Sequence, residues 1–197
     1  MLGLFHWISV IALFNWTVVW GLNSAVIKQG LEKGGIIPDV HNEFEPESEL
    51  RITYHMTKLL RMGMAVTAEE TEKSPHVWFS KTNDVSQYTL MMTDPDAGEG
   101  APFLHWIVTN IDGQKPASDV DNEEHQHTTY MPPAPPAGTG AHRYVFSIYE
   151  QSQVNQTNFV PSSIPDRHHF DAATFAQENN MKLVGALYMT QENPTSS

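Results

Sequence analysis

The sequence predicts a mainly β fold, an antiparallel sandwich with short peripheral helices, and three observations carry that expectation. Six short segments alternate or run apolar with β-branched and aromatic residues: Leu50–Met56, His76–Phe79, Gln87–Thr93, His105–Ile111, Arg143–Tyr149 and Val184–Met189. Turn-forming residues separate most of them, as in a sandwich of antiparallel strands. Helix signals occur in only two places. The length of 197 residues suits one domain with a real core, and 40% hydrophobic against 17% charged residues is a globular composition.

Along the chain, the first segment is uncharged. No Lys, Arg, Asp or Glu precedes Lys28, and Trp7 to Trp20 is apolar enough for the core of a secretory signal, with Gly21, Ser24 and Ala25 as small residues near a cut. A cleaved signal over residues 1–25 is therefore expected, although the basic n-region is missing. The alternatives are an apolar segment docked on the domain, an N-terminal anchor or a cytoplasmic protein. A stable membrane span is not expected, because it needs about 20 apolar residues and His6, Asn15 and Thr17 interrupt this stretch. Asn155-Gln156-Thr157 is a glycosylation acceptor pattern in keeping with export.

Ser24 to Lys33 reads as a helix, capped by Asn23 or Ser24 and ended by Gly34-Gly35, with Pro38 just beyond. In the strand His105–Ile111, alternation sends Trp106 and Val108 one way and His105 and Ile107 the other. Asp112 to Gly140 and Gln151 to His169 read as long loops; the first holds a proline-rich run from Met131 to Gly140 that cannot form a central strand. Phe170 to Asn179 is the second helix, with Ala172, Ala173, Phe175 and Ala176 on its apolar side. One domain spans residues 26–190, and 191–197 is a frayed tail.

Composition also excludes chemistry. A formal net charge of −12 gives no overall attraction to nucleic acid or to an anionic membrane. Any phosphate-type ligand must be held by local donors. With no cysteine, disulfides, thiolate zinc sites and cysteine nucleophiles are out. No Gly-x-Ser-x-Gly elbow, His-Glu-x-x-His or Walker loop is present.

Three polar clusters lie at strand ends, where loops can gather them: Asp94-Pro95-Asp96, His105-Trp106, and Gly138-Thr139-Gly140-Ala141-His142-Arg143-Tyr144. Singly, each is weak. A strand-end Asp usually caps a turn, and a lone His usually satisfies a local hydrogen bond. In order, however, Tyr88 to Ala97, His105 to Ile111, and Pro135 to Phe146 resemble the phosphatidylethanolamine-binding protein family, whose signature contains an Asp-Pro-Asp, a strand-opening His and a proline-rich Gly-Thr-Gly-x-His-Arg-Tyr. Gly35 to Val40 resembles that family's N-terminal turn, and Phe170 to Tyr188 its closing helix and strand, so the resemblance covers about residues 24–190.

The resemblance implies a Greek-key-type sandwich and a small pocket for phosphate-type or phospholipid head groups. It places Asp94, Asp96, His105, His142, Tyr144 and Tyr188 in that pocket, with Pro135 and Gly138 as its wall. Two imidazoles, a phenol and loop amides can donate to phosphate oxygens. The aspartates then orient the histidines or pair with an ethanolamine ammonium. Arg143, next to His142 on a strand, points to the opposite face and reads as an ion-pair residue. Family members include inhibitors of serine carboxypeptidases, modulators of kinase signalling and lipid carriers. A binding protein without cofactor or metal is therefore expected.

Where the family often continues Pro-Ser after Asp96-Ala97, this chain has Gly98-Glu99-Gly100, which puts an acid at the rim. The terminal helix that borders the pocket in some animal relatives is missing, so a more open mouth is expected. The competing readings are an acid–base enzyme using the Asp/His pocket, and a metal site built from two His and an Asp or from His125 and His127. The methionines at 56, 62, 64, 91 and 92 read as core.

Overall fold

Asn23 caps the first helix through its side chain, which accepts from the Val26 N–H at 3.2 Å, so α1 runs Ser24–Lys33 and ends as Gly34 donates back to Gly30. This computed structural model describes residues 23–55, 57–80, 82, 87–115, 120, 125–151, 159 and 166–194. The segment before residue 23, Met56 and Asn155 lie outside them.

All six expected strands form. They are β1 (Leu50–Tyr54), β4 (His76–Phe79), β5 (Gln87–Asp94), β6 (Phe103–Asp112), β8 (Ala141–Glu150) and β9 (Lys182–Glu192). Three short strands join them: β2 (Lys58–Leu59), β3 (Met64–Val66) and β7 (Gln126–Thr128), the last inside the stretch expected to be loop. The second helix, α2, is Ala172–Glu178, capped by Asp171. A small sheet has the order β2-β1-β4 and a large one the order β3-β9-β8-β5-β6-β7. Pairing is antiparallel, as expected, except at one edge, where β3 lies parallel to β9. β9 also runs two residues past the expected domain end, and Gln191 there is buried, bonded to Thr71 and Pro133.

The large sheet is covered on both faces. Ile52, Tyr54, Val77 and Phe79 of the small sheet pack on Leu90, Met92, Trp106, Tyr144, Phe146 and Ile148. On the other face, Leu31 of α1 with Ile36 and Ile37 meets Val145 and Ala186, while Ala172 and Ala176 of α2 meet Met91, Ile107 and Tyr149. A strand buried on both sides reads as a near-continuous apolar run, and every residue of β5 from Tyr88 to Asp94 is buried.

Alternation fails at one informative place. Met92 pairs with Trp106 and Thr93 with Leu104, so His105 is an extra residue in β6. Such a bulge re-aims a side chain. It puts His105 on the same face as Trp106, against Tyr144, which corrects the expectation that they point apart.

Gly185 marks the closest approach of the chain ahead of β1. Glu47 and Ser48 donate to Val184 O at 2.8 Å each, and a Cβ on Gly185 would lie 2.5 Å from the Ser48 carbonyl oxygen. Because backbone is in the way, Gly185→Ala should destabilise the fold by about 1–3 kcal/mol, the scale of overpacking. Urea unfolding measures it, and a change near zero would show that this contact yields freely.

Candidate functional site

Asp94 ends β5, buried at 3% exposure, and both of its oxygens are used. Oδ1 accepts from the Asp96 N–H at 2.8 Å, closing the turn, and Oδ2 accepts from His142 Nδ1 at 2.8 Å. That bond fixes the His142 tautomer: with Nδ1–H held by a carboxylate, Nε2 of the neutral ring is an acceptor. Nε2 lies 2.8 Å from the Thr139 hydroxyl, which also reaches Pro136 O at 2.8 Å. Protonation turns Nε2 into a donor, and Thr139 can then give its own proton wholly to the Pro136 carbonyl.

His105 is held in the same way by a different partner. Its Nδ1 lies 2.8 Å from Met131 O, and a carbonyl only accepts, so Nδ1 carries the proton. Among the described residues nothing bonds its Nε2. Burial pushes the His105 pKa below its ordinary 6.5, against the opposing pull of the Met131 carbonyl and Asp94. Its ring stands edge-on to Tyr144, centroids 5.2 Å apart. The Tyr144 hydroxyl is fully buried, and among the described residues it makes no hydrogen bond of normal geometry, with Asp94 and the Ala134 backbone its nearest polar neighbours. Burial first, and the charge of Asp94 second, hold that phenol protonated. Asp94, His105, His142 and Tyr144 thus form one connected group at the end of the large sheet.

The remaining sequence-derived residues divide. Pro135 is buried in the segment that passes over this group, and Gly138 is exposed beyond it with φ of +80°, its N–H on Asn193 O at 3.1 Å. A groove of about 700 Å³ runs between Asp96, Gly98, Pro136, Thr139, His142 and Arg143. His105 and Tyr144 are not among its walls; their rings contact each other, and the charge of Asp94 acts on both. The side chain of Asp96 is occupied: it accepts from the Arg143 N–H at 2.8 Å, Nε at 2.9 Å and Nη2 at 2.8 Å. Burial works to raise the Asp96 pKa, but the Arg143 hydrogen bonds outweigh it and hold the carboxyl below its usual range. Arg143 also reaches the carbonyls of Gly34 and Gly35, and it takes the structural role expected of it.

The structure does not bring Tyr188 to the group. Tyr188 pairs with Val145, on the face covered by α1, and packs so closely on Gly34 that a Cβ there would lie 2.2 Å from its ring. What decides it is the register of β9 on β8, which seats Tyr188 opposite Val145 and so on the face away from Tyr144. Sequence reasoning placed Thr139 in the third cluster without giving it a role, and missed Met131 O and Phe103, whose ring stands 5.1 Å from His105. Among the described residues, no three His, Cys, Asp or Glu side chains gather as metal ligands.

A sequence model of the family described as phosphatidylethanolamine-binding protein matches residues 40–192. The chain belongs to the phosphatidylethanolamine-binding protein family. It is 31% identical to Protein TERMINAL FLOWER 1 of Arabidopsis thaliana over 83% of this chain and 90% of that one. It is 29% identical to a 26 kDa secreted antigen of Toxocara canis, over 82% of this chain and 63% of that one. Among solved structures, carboxypeptidase Y inhibitor complexed with its cognate proteinase superimposes with a TM-score of 0.74 at 25% identity, covering 87% of this chain and 97% of that one. The family match spans Asp94, His105, His142 and Tyr144, as well as Asp96, Pro135, Gly138 and Tyr188.

If Asp96 serves the fold through Arg143, the two should be energetically coupled. A double-mutant cycle with Asp96→Asn and Arg143→Met should give a coupling of about 1–3 kcal/mol, as for a partly buried, doubly bonded ion pair. Additive losses would instead leave the Asp96 carboxylate free for ligand.

Proposed function

We propose that this family member is a non-enzymatic binding protein whose Asp94–His105–His142–Tyr144 group takes a phosphate-type head group. The observation that carries the reading is the Tyr144 hydroxyl, a protonated donor, buried and unpartnered beside two histidines whose tautomers are fixed. A buried donor without an acceptor costs about 1–3 kcal/mol, and a ligand oxygen relieves that cost. The four ionisable groups divide the work: Tyr144 donates, His105 donates once protonated, and Asp94 orients His142. The Thr139 hydroxyl lies 2.8 Å from His142 Nε2, but it is equally close, at 2.8 Å, to Pro136 O; a hydroxyl whose proton a carbonyl also takes is a poor nucleophile, which favours binding over turnover.

The pH dependence follows from His105. Its Nδ1–H is committed to Met131, so it can donate to an anion only through Nε2, which requires protonation. Because its pKa lies below 6.5, affinity should rise as pH falls below 6.5, and His105→Gln should flatten that rise. The phosphate itself loses charge near pH 6, so the comparison between variant and parent is what isolates the histidine. In NMR titrations, phosphorylethanolamine and inorganic phosphate should shift the His105 and His142 imidazole resonances saturably. Tyr144→Phe should weaken binding by about 1.5–3 kcal/mol, the scale of a hydrogen bond to a charged group. Imidazole resonances unmoved at millimolar ligand would remove the head-group reading, and ligand turnover abolished by His142→Ala would make this an enzyme.

The likeness to an inhibitor bound to its proteinase supports a second role, contact with a serine carboxypeptidase through surface loops or the N-terminal segment. A standard interface takes about 800 Å² from each partner, far more than this group of buried side chains can present. His105→Ala and His142→Ala should therefore lose ligand and keep any inhibition of carboxypeptidase. The uncharged start of the chain and the likeness to a secreted antigen support export after removal of residues 1–25, with Asn155 glycosylated. N-terminal sequencing of protein from the medium of a eukaryotic host checks this, and intact Met1 in the cytosol would end it.

A further inference from the structure

We infer that the helix-covered face of the large sheet holds a second, separate site, a groove that takes the protonated amine of a small apolar ligand. The groove has a volume of about 550 Å³ and runs between the segment Pro38–Phe44 and α2. Its floor holds two buried side chains, each 2% exposed, and among the described residues neither His41 Nδ1 nor the Tyr149 hydroxyl makes a hydrogen bond of normal geometry, Ser147 being the polar neighbour of both rings. The two rings stand edge-on, centroids 6.3 Å apart. An unpartnered buried polar atom is unfavourable, and both of these belong to residues that line the same space.

The chemistry of the ligand follows from what surrounds these atoms. Asp39, Glu43 and Asp171 line the groove, and no Lys or Arg does. Arg143 pairs with Asp39 and Lys28 with Glu43, which leaves Asp171 as the carboxylate without a cation among the described residues. Asp171 gives one oxygen to the Thr174 N–H as the cap of α2. His41 Nε2 lies 2.7 Å from the Ser147 hydroxyl. When Nε2–H donates to that oxygen, Nδ1 is left with its lone pair. Burial pushes the His41 pKa down to about 4, so the ring stays neutral near pH 7. His41 Nδ1, the Tyr149 oxygen and Asp171 are then three acceptors, and an ammonium has three N–H donors. The half-buried Phe44, 6.4 Å from His41 and edge-on to it, is the wall that must shift to admit the ligand, with Met181 and Leu183 offering apolar surface to its body.

Nothing here depends on the head-group site, since Tyr149 and Tyr144 leave β8 on opposite faces. Benzylamine is a suitable probe, and benzyl alcohol is its neutral counterpart. In NMR titrations, benzylamine should shift the His41 and Tyr149 ring resonances saturably and bind better than benzyl alcohol. Tyr149→Phe removes only an unpartnered hydroxyl, so it should fold at least as well as the parent while weakening benzylamine about tenfold, the scale of one hydrogen bond to a charged group. Asp171→Asn keeps the helix cap and should weaken it several-fold. His142→Ala should leave it unchanged. Equal binding of benzyl alcohol, indifference to Tyr149→Phe, or the absence of shifts at His41 would overturn the inference.

Discussion

Burial of the six-stranded sheet on both faces is the constraint on which the rest depends. Strand alternation sends successive side chains of β8 to opposite sides, and here both sides are interior. His142, Tyr144, Phe146 and Ile148 go toward the small sheet; Arg143, Val145, Ser147 and Tyr149 go toward the helices. Neither side can be left to water, so each polar residue on this strand needs a partner within the protein or a ligand. The two faces solve that differently. One collects imidazoles and a phenol around a single buried carboxylate; the other collects a neutral imidazole and a phenol beneath acidic residues.

Arg143 ties the ends of this arrangement together. Its guanidinium holds Asp96, the carbonyls that close α1 at Gly34 and Gly35, and Asp39, so the turn after β5 and the N-terminal segment share one cation. Asp94 sits two residues before Asp96 and faces the other way, onto His142. A sequence of two aspartates around a proline therefore serves two purposes. One carboxylate orients His142, and the other fastens the scaffold around it through Arg143. Removing a partner from such a pair leaves a charge partly buried, which is costlier than losing both.

Much of the fold was legible because period and composition speak directly of burial. Six apolar segments became six strands, and the capping residues Asn23 and Asp171 stand where the two helices begin. The strands β2, β3 and β7 have two or three residues each, too few to show a period, and β3 and β7 occupy the sheet's edges. In the site, alternation gave Arg143 its correct face. It misplaced His105, because a bulge adds one residue to the strand and leaves no mark in residue types. Family resemblance placed Tyr188 with the histidines, while its register opposite Val145 puts it on the other face. The role of Thr139 and the Met131 carbonyl escaped notice because a loop's backbone path cannot be read from prolines and glycines alone.

The unpartnered atoms explain why such a site is compatible with a stable fold. Five buried side-chain polar atoms lack a partner among the described residues, and three of them belong to His41, Tyr144 and Tyr149. At about 1–3 kcal/mol each, they are a large fraction of the 5–15 kcal/mol typical of a domain. Replacing each tyrosine by phenylalanine would remove that penalty while keeping the ring packing that Tyr144 and Tyr149 supply to two separate clusters. A fold selected for stability alone has no use for the hydroxyls. Each lies beside a histidine ring, Tyr144 against His105 and Tyr149 against His41, so an acceptor or donor brought to either imidazole also comes within reach of a phenol.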